Sequence, residues 1–280
     1  MKKEFLAAMA IAGLTSTTVA LADISDIKAS NSQLGIQYIS TKVDYTETGN
    51  GIFGTSTGTL DTETGNVPGY ALSISAMKDL LFKNDYIRAE YDHSSGYTNY
   101  VGGLIGPPQT PYGSVLSTSS AKLTNYSADY GKGFALGSQF MLTPYAELGK
   151  HTWVRGVNYG ETYINHYYGI GLMGQYSPVQ KLVFSANALI GQAYDSAITV
   201  TASNGAILFS TGLGQSTLQK FGASADYAFT RSLHGNIGVD YTTFKYGISA
   251  TTPIGSGYVG WEPDSKTNYT TFKVGLGYAF

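Results

Sequence analysis

Four histidines and no cysteine occur in the 280 residues, which narrows the chemistry this chain can do. His93, His151, His166 and His234 show no H-x-x-x-H spacing, so no zinc site is read from them. Without cysteine there is no thiolate nucleophile, no disulfide and no Cys-based metal site. One stretch has a triad-like composition: Asp92-His93-Ser94-Ser95. On a strand His93 and Ser95 share a face, as a general base and its nucleophile must. No Glu follows within twenty residues to orient His93. An exposed interfacial histidine is the reading that fits, and the chain is expected not to be an enzyme. Gly169-Ile170-Gly171 and Gly275-Leu276-Gly277 precede no helix signal, so neither is a nucleotide loop, and no cofactor or metal is expected.

A second set of chemically capable residues is spread along the chain. Arg88, Glu90, Asp92, Asp129, Glu147, Lys220, Asp226, Asp240 and Lys273 each stand in an alternating run, opposite a row of apolar side chains. Side chains on a strand alternate between two faces, so each charge projects away from its apolar neighbours. A dry sandwich core cannot hold such a row without large desolvation costs. A polar lumen can. Six of the nine are acidic, so an open lumen would favour cations.

The elements that must position this row are strands. The clearest run is the last: Phe272, Val274, Leu276, Tyr278 and Phe280 on one face, Lys273, Gly275, Gly277 and Ala279 on the other. Nine similar runs precede it, separated by connections that alternate long and short. Long loops are expected at 46–68, 100–120, 151–166, 195–215 and 247–266. Short turns are expected near 78–85, 131–137, 177–180 and 230–234. The apolar parity of the first run slips from Leu34, Ile36 and Tyr38 to Val43 and Tyr45, which predicts a bulge near Ile39. Pro144 lacks a donor and predicts a local distortion in the fifth run. Tyr86, Tyr91, Tyr97, Tyr168, Tyr227, Phe229, Tyr241 and Tyr278 cluster at run ends, where amphipathic rings would form girdles. The expected fold is all-β: an antiparallel up-and-down transmembrane barrel of about 10 strands, within a range of 8–12.

Composition agrees. Charged residues are 13%, Gly numbers 35, Tyr 23, and net charge is -2. Nothing here attracts nucleic acid. At the N-terminus Lys2 and Lys3 precede an apolar run from Phe5 to Leu14 and the small-x-small pattern Ala20-Leu21-Ala22. Residues 1–22 read as a signal peptide, leaving 23–280 as a single barrel domain with five long extracellular loops.

The final eight residues place Lys273, Gly275, Tyr278 and Phe280 in the pattern polar-x-Gly-x-x-aromatic-x-aromatic. This resembles the C-terminal β-signal of bacterial outer-membrane barrels, and the chain as a whole resembles the small OmpA-type and Opa-like, porin-related kind. The resemblance implies outer-membrane location, contact with lipid, periplasmic chaperones in transit and insertion by the barrel-assembly machinery. The expected function is that of a non-enzymatic surface barrel, structural or adhesin-like through loops rich in Gly, Thr, Ser, Asn and Tyr that could hold an extracellular ligand, with or without a narrow pore. A small-solute channel of mild cation preference is the alternative. Two enzyme families share the architecture. Lipid A deacylases carry a His/Ser pair on the outer wall, and omptin proteases carry Asp pairs and a His-Asp pair at the rim. The chain is similar to the first only at His93 and Ser95, and to the second only in strand count.

Overall fold

The structure is a computed structural model and describes residues 23–52, 55–104, 109–255 and 257–280, the side chain of Tyr159 excepted. The segment 1–22, read as a signal peptide, lies outside them.

Helix α1 (Ile24–Ser30) opens the described chain, followed by β1 (Gln33–Asn50), β2 (Thr57–Lys78), β3 (Asp85–Gly102) and β4 (Val115–Lys132). A two-residue β5 (Phe134–Ala135) precedes β6 (Phe140–Arg155), β7 (Glu161–Val179), β8 (Leu182–Thr201) and β9 (Ile207–Ala228). Then come β10 (Leu233–Tyr246), the small hairpin β11 (Thr252–Gly255) and β12 (Tyr258–Gly260), and β13 (Asp264–Ala279). Ten long strands pair antiparallel with their sequence neighbours. The ring closes because β13 pairs with β1, from Gln33↔Ala279 to Thr48↔Asp264. Closure leaves the ring of ten long strands without a free edge, the condition for a strand-built wall in hydrocarbon.

The outer wall is apolar around one end. Leu34, Ile36 and Tyr38 on β1, Tyr70, Leu72 and Ile74 on β2, and Phe272, Val274, Leu276 and Tyr278 on β13 are all exposed. No water-facing sheet would present such a belt, whereas a lipid-facing one must. No helix of the described chain is long and apolar enough to span a bilayer. The strands do the crossing.

The strands outrun the belt. A tilted strand crosses a bilayer in about 9–11 residues, yet β2 and β9 are 22 residues long. The stretches expected as long loops are therefore mostly strand. The connections at the end opposite the termini, here the far end, are 51–56, 103–114, 156–160, 202–206 and 247–263. The near end carries α1 and the end of β13.

The bulge expected near Ile39 is absent. Register runs unbroken through it on both sides of β1 and shifts only between Glu47 and Thr48. The apolar parity changes because the surroundings change. Below Ile39 the outward row meets lipid; above it Val43 and Tyr45 turn inward and are fully buried. Pro144 causes no register shift against β7. It sits where β6 passes from pairing with β4 to pairing with β5. Tyr86 is buried inside the barrel and belongs to no girdle.

Candidate functional site

The interior is filled in three tiers, and the charged row forms the middle one. All nine side chains, from Arg88 to Lys273, lie on the inward face of their strands. Lys273 Nζ on β13 sits 2.7 Å from Glu90 Oε1 and 2.9 Å from Asp240 Oδ2. Arg88 also pairs with Glu90. Lys220 Nζ lies 2.5 Å from Glu147 Oε1, and Asp129 stands opposite Glu147 in the β4–β6 register. Asp92 accepts a long bond, 3.5 Å, from Asn125. Asp226 sits lower, near the rim, where His234 Nδ1 is 2.6 Å from its Oδ1 and Gln33 Nε2 donates to its Oδ2 at 3.1 Å. The spaces left in the middle tier are small, about 90 Å³ and 50 Å³. Each holds only a few water molecules.

The near tier is α1 packed against the inner wall of the barrel. Ile27, fully buried, packs with Met77, Tyr86, Met141, Met173 and Val183. Asn31, just past the helix, exchanges two hydrogen bonds with Gln175 on β7: Asn31 Nδ2 to Oε1 at 2.6 Å, and Gln175 Nε2 to Asn31 Oδ1 at 3.1 Å. Ser32 Oγ accepts from Met77 N–H at 3.0 Å. These bonds fix the helix to both sides of the ring.

The far tier lies beyond the lipid belt and holds the largest core. Val43, Tyr45, Val67, Trp153, Tyr163, Ile198, Phe244 and Tyr246 are among its buried members. Arg155 is fully buried within it. Its Nε lies 2.8 Å from Glu63, its Nη1 3.1 Å from Glu161, and its Nη2 3.7 Å from Asp61. The guanidinium stacks 4.6 Å from the Tyr45 ring centre and 5.1 Å from that of Trp153. Thr98 Oγ1 donates to Glu63 at 2.5 Å. Two further carboxyls face phenols: Glu262 accepts from Tyr163 at 2.5 Å and from Tyr45 at 3.1 Å, and Glu47 lies 3.2 Å from the same Tyr45 hydroxyl. One hydroxyl proton cannot serve both Glu262 and Glu47. Burial, then the charge of Glu161, pushes the Glu262 carboxyl up to about 8. Burial and the neighbouring Asp61 hold Glu47 well above the usual range. Asp61 is raised by burial against the pull of Arg155. The tier thus carries more carboxyl groups than it can keep ionised.

Glu47, Asp61, Glu161 and Glu262 border a cavity of about 360 Å³ at the far end, roofed in part by Tyr100, Phe209 and Trp261. Sequence reading missed this group because 46–68, 151–166 and 247–266 read as loops. The signal was present: Asp61-x-Glu63, Trp153-x-Arg155 and Glu161-x-Tyr163 keep period two. Within the triad-like stretch Asp92 turns into the lumen and Ser94 is buried, whereas His93 faces outward among Tyr70, Tyr91 and Thr124, on the same face as the exposed Ser95. Among the described residues no group of three or more His, Asp or Glu converges as a metal site.

No family model matches the chain, and no curated protein matches it. Among solved structures, the outer-membrane protease OmpT of Escherichia coli superposes with a TM-score of 0.57. It is 11% identical, over 89% of this chain and 95% of that one. The fold is that of a bacterial outer-membrane β-barrel. The translocator domain of autotransporter NalP from Neisseria meningitidis aligns at 13% identity and TM-score 0.39, covering 92% of each chain. Neisserial surface protein A aligns at 11% and 0.34, covering 88% of this chain and 97% of that one.

The terminal residues that resemble a β-signal lie on the strand that closes the ring against β1. Tyr278 and Phe280 face outward and are exposed. Gly275 and Gly277 allow β1 to approach: a methyl group on Gly275 would collide with the Ile36 carbonyl, and one on Gly277 with the Gln33 side chain.

Proposed function

We propose that the protein is a non-enzymatic outer-membrane barrel with a closed lumen, working through its far, extracellular end in a structural or adhesin-like role. The observation that carries this is the three-tier filling of the interior. Helix α1, the charged layer and the aromatic far tier stand in series, and two cavities lined by the middle layer measure about 90 and 50 Å³. A solute would have to displace all three. The outward His93 and inward Asp92 cannot act together, which supports a non-catalytic reading. Residues 1–22 direct export, periplasmic chaperones carry the chain, and the barrel-assembly machinery reads the strand ending at Phe280.

The acidic majority of the charged row favours a second reading, a narrow channel with mild cation preference. That reading requires the middle and far tiers, and not α1 alone, to move apart. Planar-bilayer recording of the refolded chain separates the two: a closed barrel is silent, and stable conductance steps overturn the closure.

A further inference from the structure

The cavity at the far end is built for a positively charged guest. We propose that it binds an organic cation, an ammonium or guanidinium group carried on an aromatic or aliphatic body, such as a basic side chain presented by a peptide. The inference rests on the reading of this end as the working face.

Charge is the first argument. Glu47, Asp61, Glu161 and Glu262 border the cavity and Glu63 lies behind it, with Arg155 the single guanidinium among these five carboxyls. Arg155 engages Glu63 and Glu161 at hydrogen-bond distance but stands 3.7 Å from Asp61, too far for a good bond. Glu47 and Glu262 share the Tyr45 hydroxyl, and Glu262 also accepts from Tyr163.

An unfilled acceptor is the second. Asp61 is only 7% exposed and lines the cavity; its Oδ2 faces Arg155 at 3.7 Å, and among the described residues no hydrogen bond is donated to its Oδ1. A buried carboxylate oxygen without a donor costs free energy, and an incoming N–H would satisfy it. The walls supply the third argument. Tyr100, Phe209 and Trp261 place aromatic rings in the same lining as the carboxyls, and Leu60 and Leu208 add aliphatic surface. Aromatic faces attract cations and bury the apolar body attached to them. Among the described residues the acids do not gather around one point as metal ligands would, so a bare divalent ion fits less well than an extended organic cation. The volume, about 360 Å³, falls within the size of small-molecule sites.

Phenethylamine, with phenethyl alcohol as its neutral counterpart, is the probe. Calorimetric titration into the full chain refolded in detergent micelles reads binding directly. Saturable binding of the amine and none of the alcohol is expected. Asp61→Asn and Glu262→Gln keep the shape and remove a carboxyl that can give up its proton to pair with an entering cation, and each should weaken the amine by about tenfold or more. Heat-modifiable migration on gels confirms that each variant is a folded barrel. Equal binding of amine and alcohol overturns the inference. So does loss of amine binding only when calcium is added at equimolar concentration, which would mark an inorganic cation site. Absence of amine binding to folded wild-type protein overturns it as well. Channel recording on the same sample keeps the two claims apart: a silent barrel that binds no amine sinks only this inference, and a conducting barrel that binds it sinks only the closure.

Discussion

Lys273 on β13 and Glu90 on β3 are joined at 2.7 Å although β1 and β2 lie between their strands in the wall. The bond therefore spans the lumen. It ties the seam of the barrel to a strand that pairs with neither partner of that seam. Asp240 completes the group at 2.9 Å from the same ammonium.

Removing the cation alone should be costly. Lys273→Met strands Glu90 and Asp240, and an uncompensated buried charge costs about 3–5 kcal/mol. Arg88 remains beside Glu90, which places the loss toward the lower figure. Urea unfolding of the refolded barrel reads it. Lys273→Met combined with Asp240→Asn should recover part of the loss, and a purely additive pair would show that Lys273 and Asp240 do not interact.

Arg155 plays the same part in the far tier, where Glu63 and Glu161 bond it and the edge-to-face pair Tyr45 and Trp153 packs beside it. Arg155→Met leaves buried carboxylates facing one another and should destabilise by about 3–5 kcal/mol. The belt below lacks these contacts, so the loss should appear first as proteolysis at the far connections, with the membrane portion still protected. Uniform sensitivity along the chain would contradict the tiered arrangement.

Glu262 should make the far tier sensitive to alkali. Its carboxyl is held at about 8 in the folded chain against an ordinary 4.5, by burial and then by Glu161. Asp61 also raises it; Tyr163 and Arg155 oppose. The folded state thus binds more protons than the unfolded chain between those two values. Its contribution is fully present below about 4.5 and is lost as pH rises toward 8. Stability followed from pH 5 to 9 should fall, and Glu262→Gln should flatten the fall. A slope unchanged in the variant would remove Glu262 as its source.

Assembly should depend on the seam glycine as much as on the terminal ring. Gly275→Val cannot pair with β1 without moving the backbone at Ile36. Both Gly275→Val and removal of Phe280 should lower the yield of heat-modifiable barrel in the outer membrane. Normal yield without Phe280 would count against the β-signal.

Strand number and the inward row were legible because they depend on alternation, which survives any change of surroundings. Arg88, Glu90 and Asp92 needed only parity to be placed inside. The height of the barrel was not legible in the same way. Tyr38 faces lipid and Tyr45 faces the core on one continuous strand. An exchange of the apolar face looks, in sequence, like a bulge or the end of a strand. It marks the level where the wall leaves the bilayer. Beyond that level the outward row is polar, as at Lys42 and Asp44, and the stretch reads as loop. The Arg155 cluster was lost with it. Helix α1 escaped because seven residues with two isoleucines, Ile24 and Ile27, give too little periodicity to detect.

Closure of the lumen is tested most directly by single-channel recording of the refolded 23–280 chain in planar bilayers. A barrel filled by α1, the Lys273–Glu90 layer and the Arg155 tier should insert without conductance, and deletion of 23–31 should leave it silent because two tiers remain. Stable steps in the intact chain, with selectivity altered by Asp240→Asn, would contradict it.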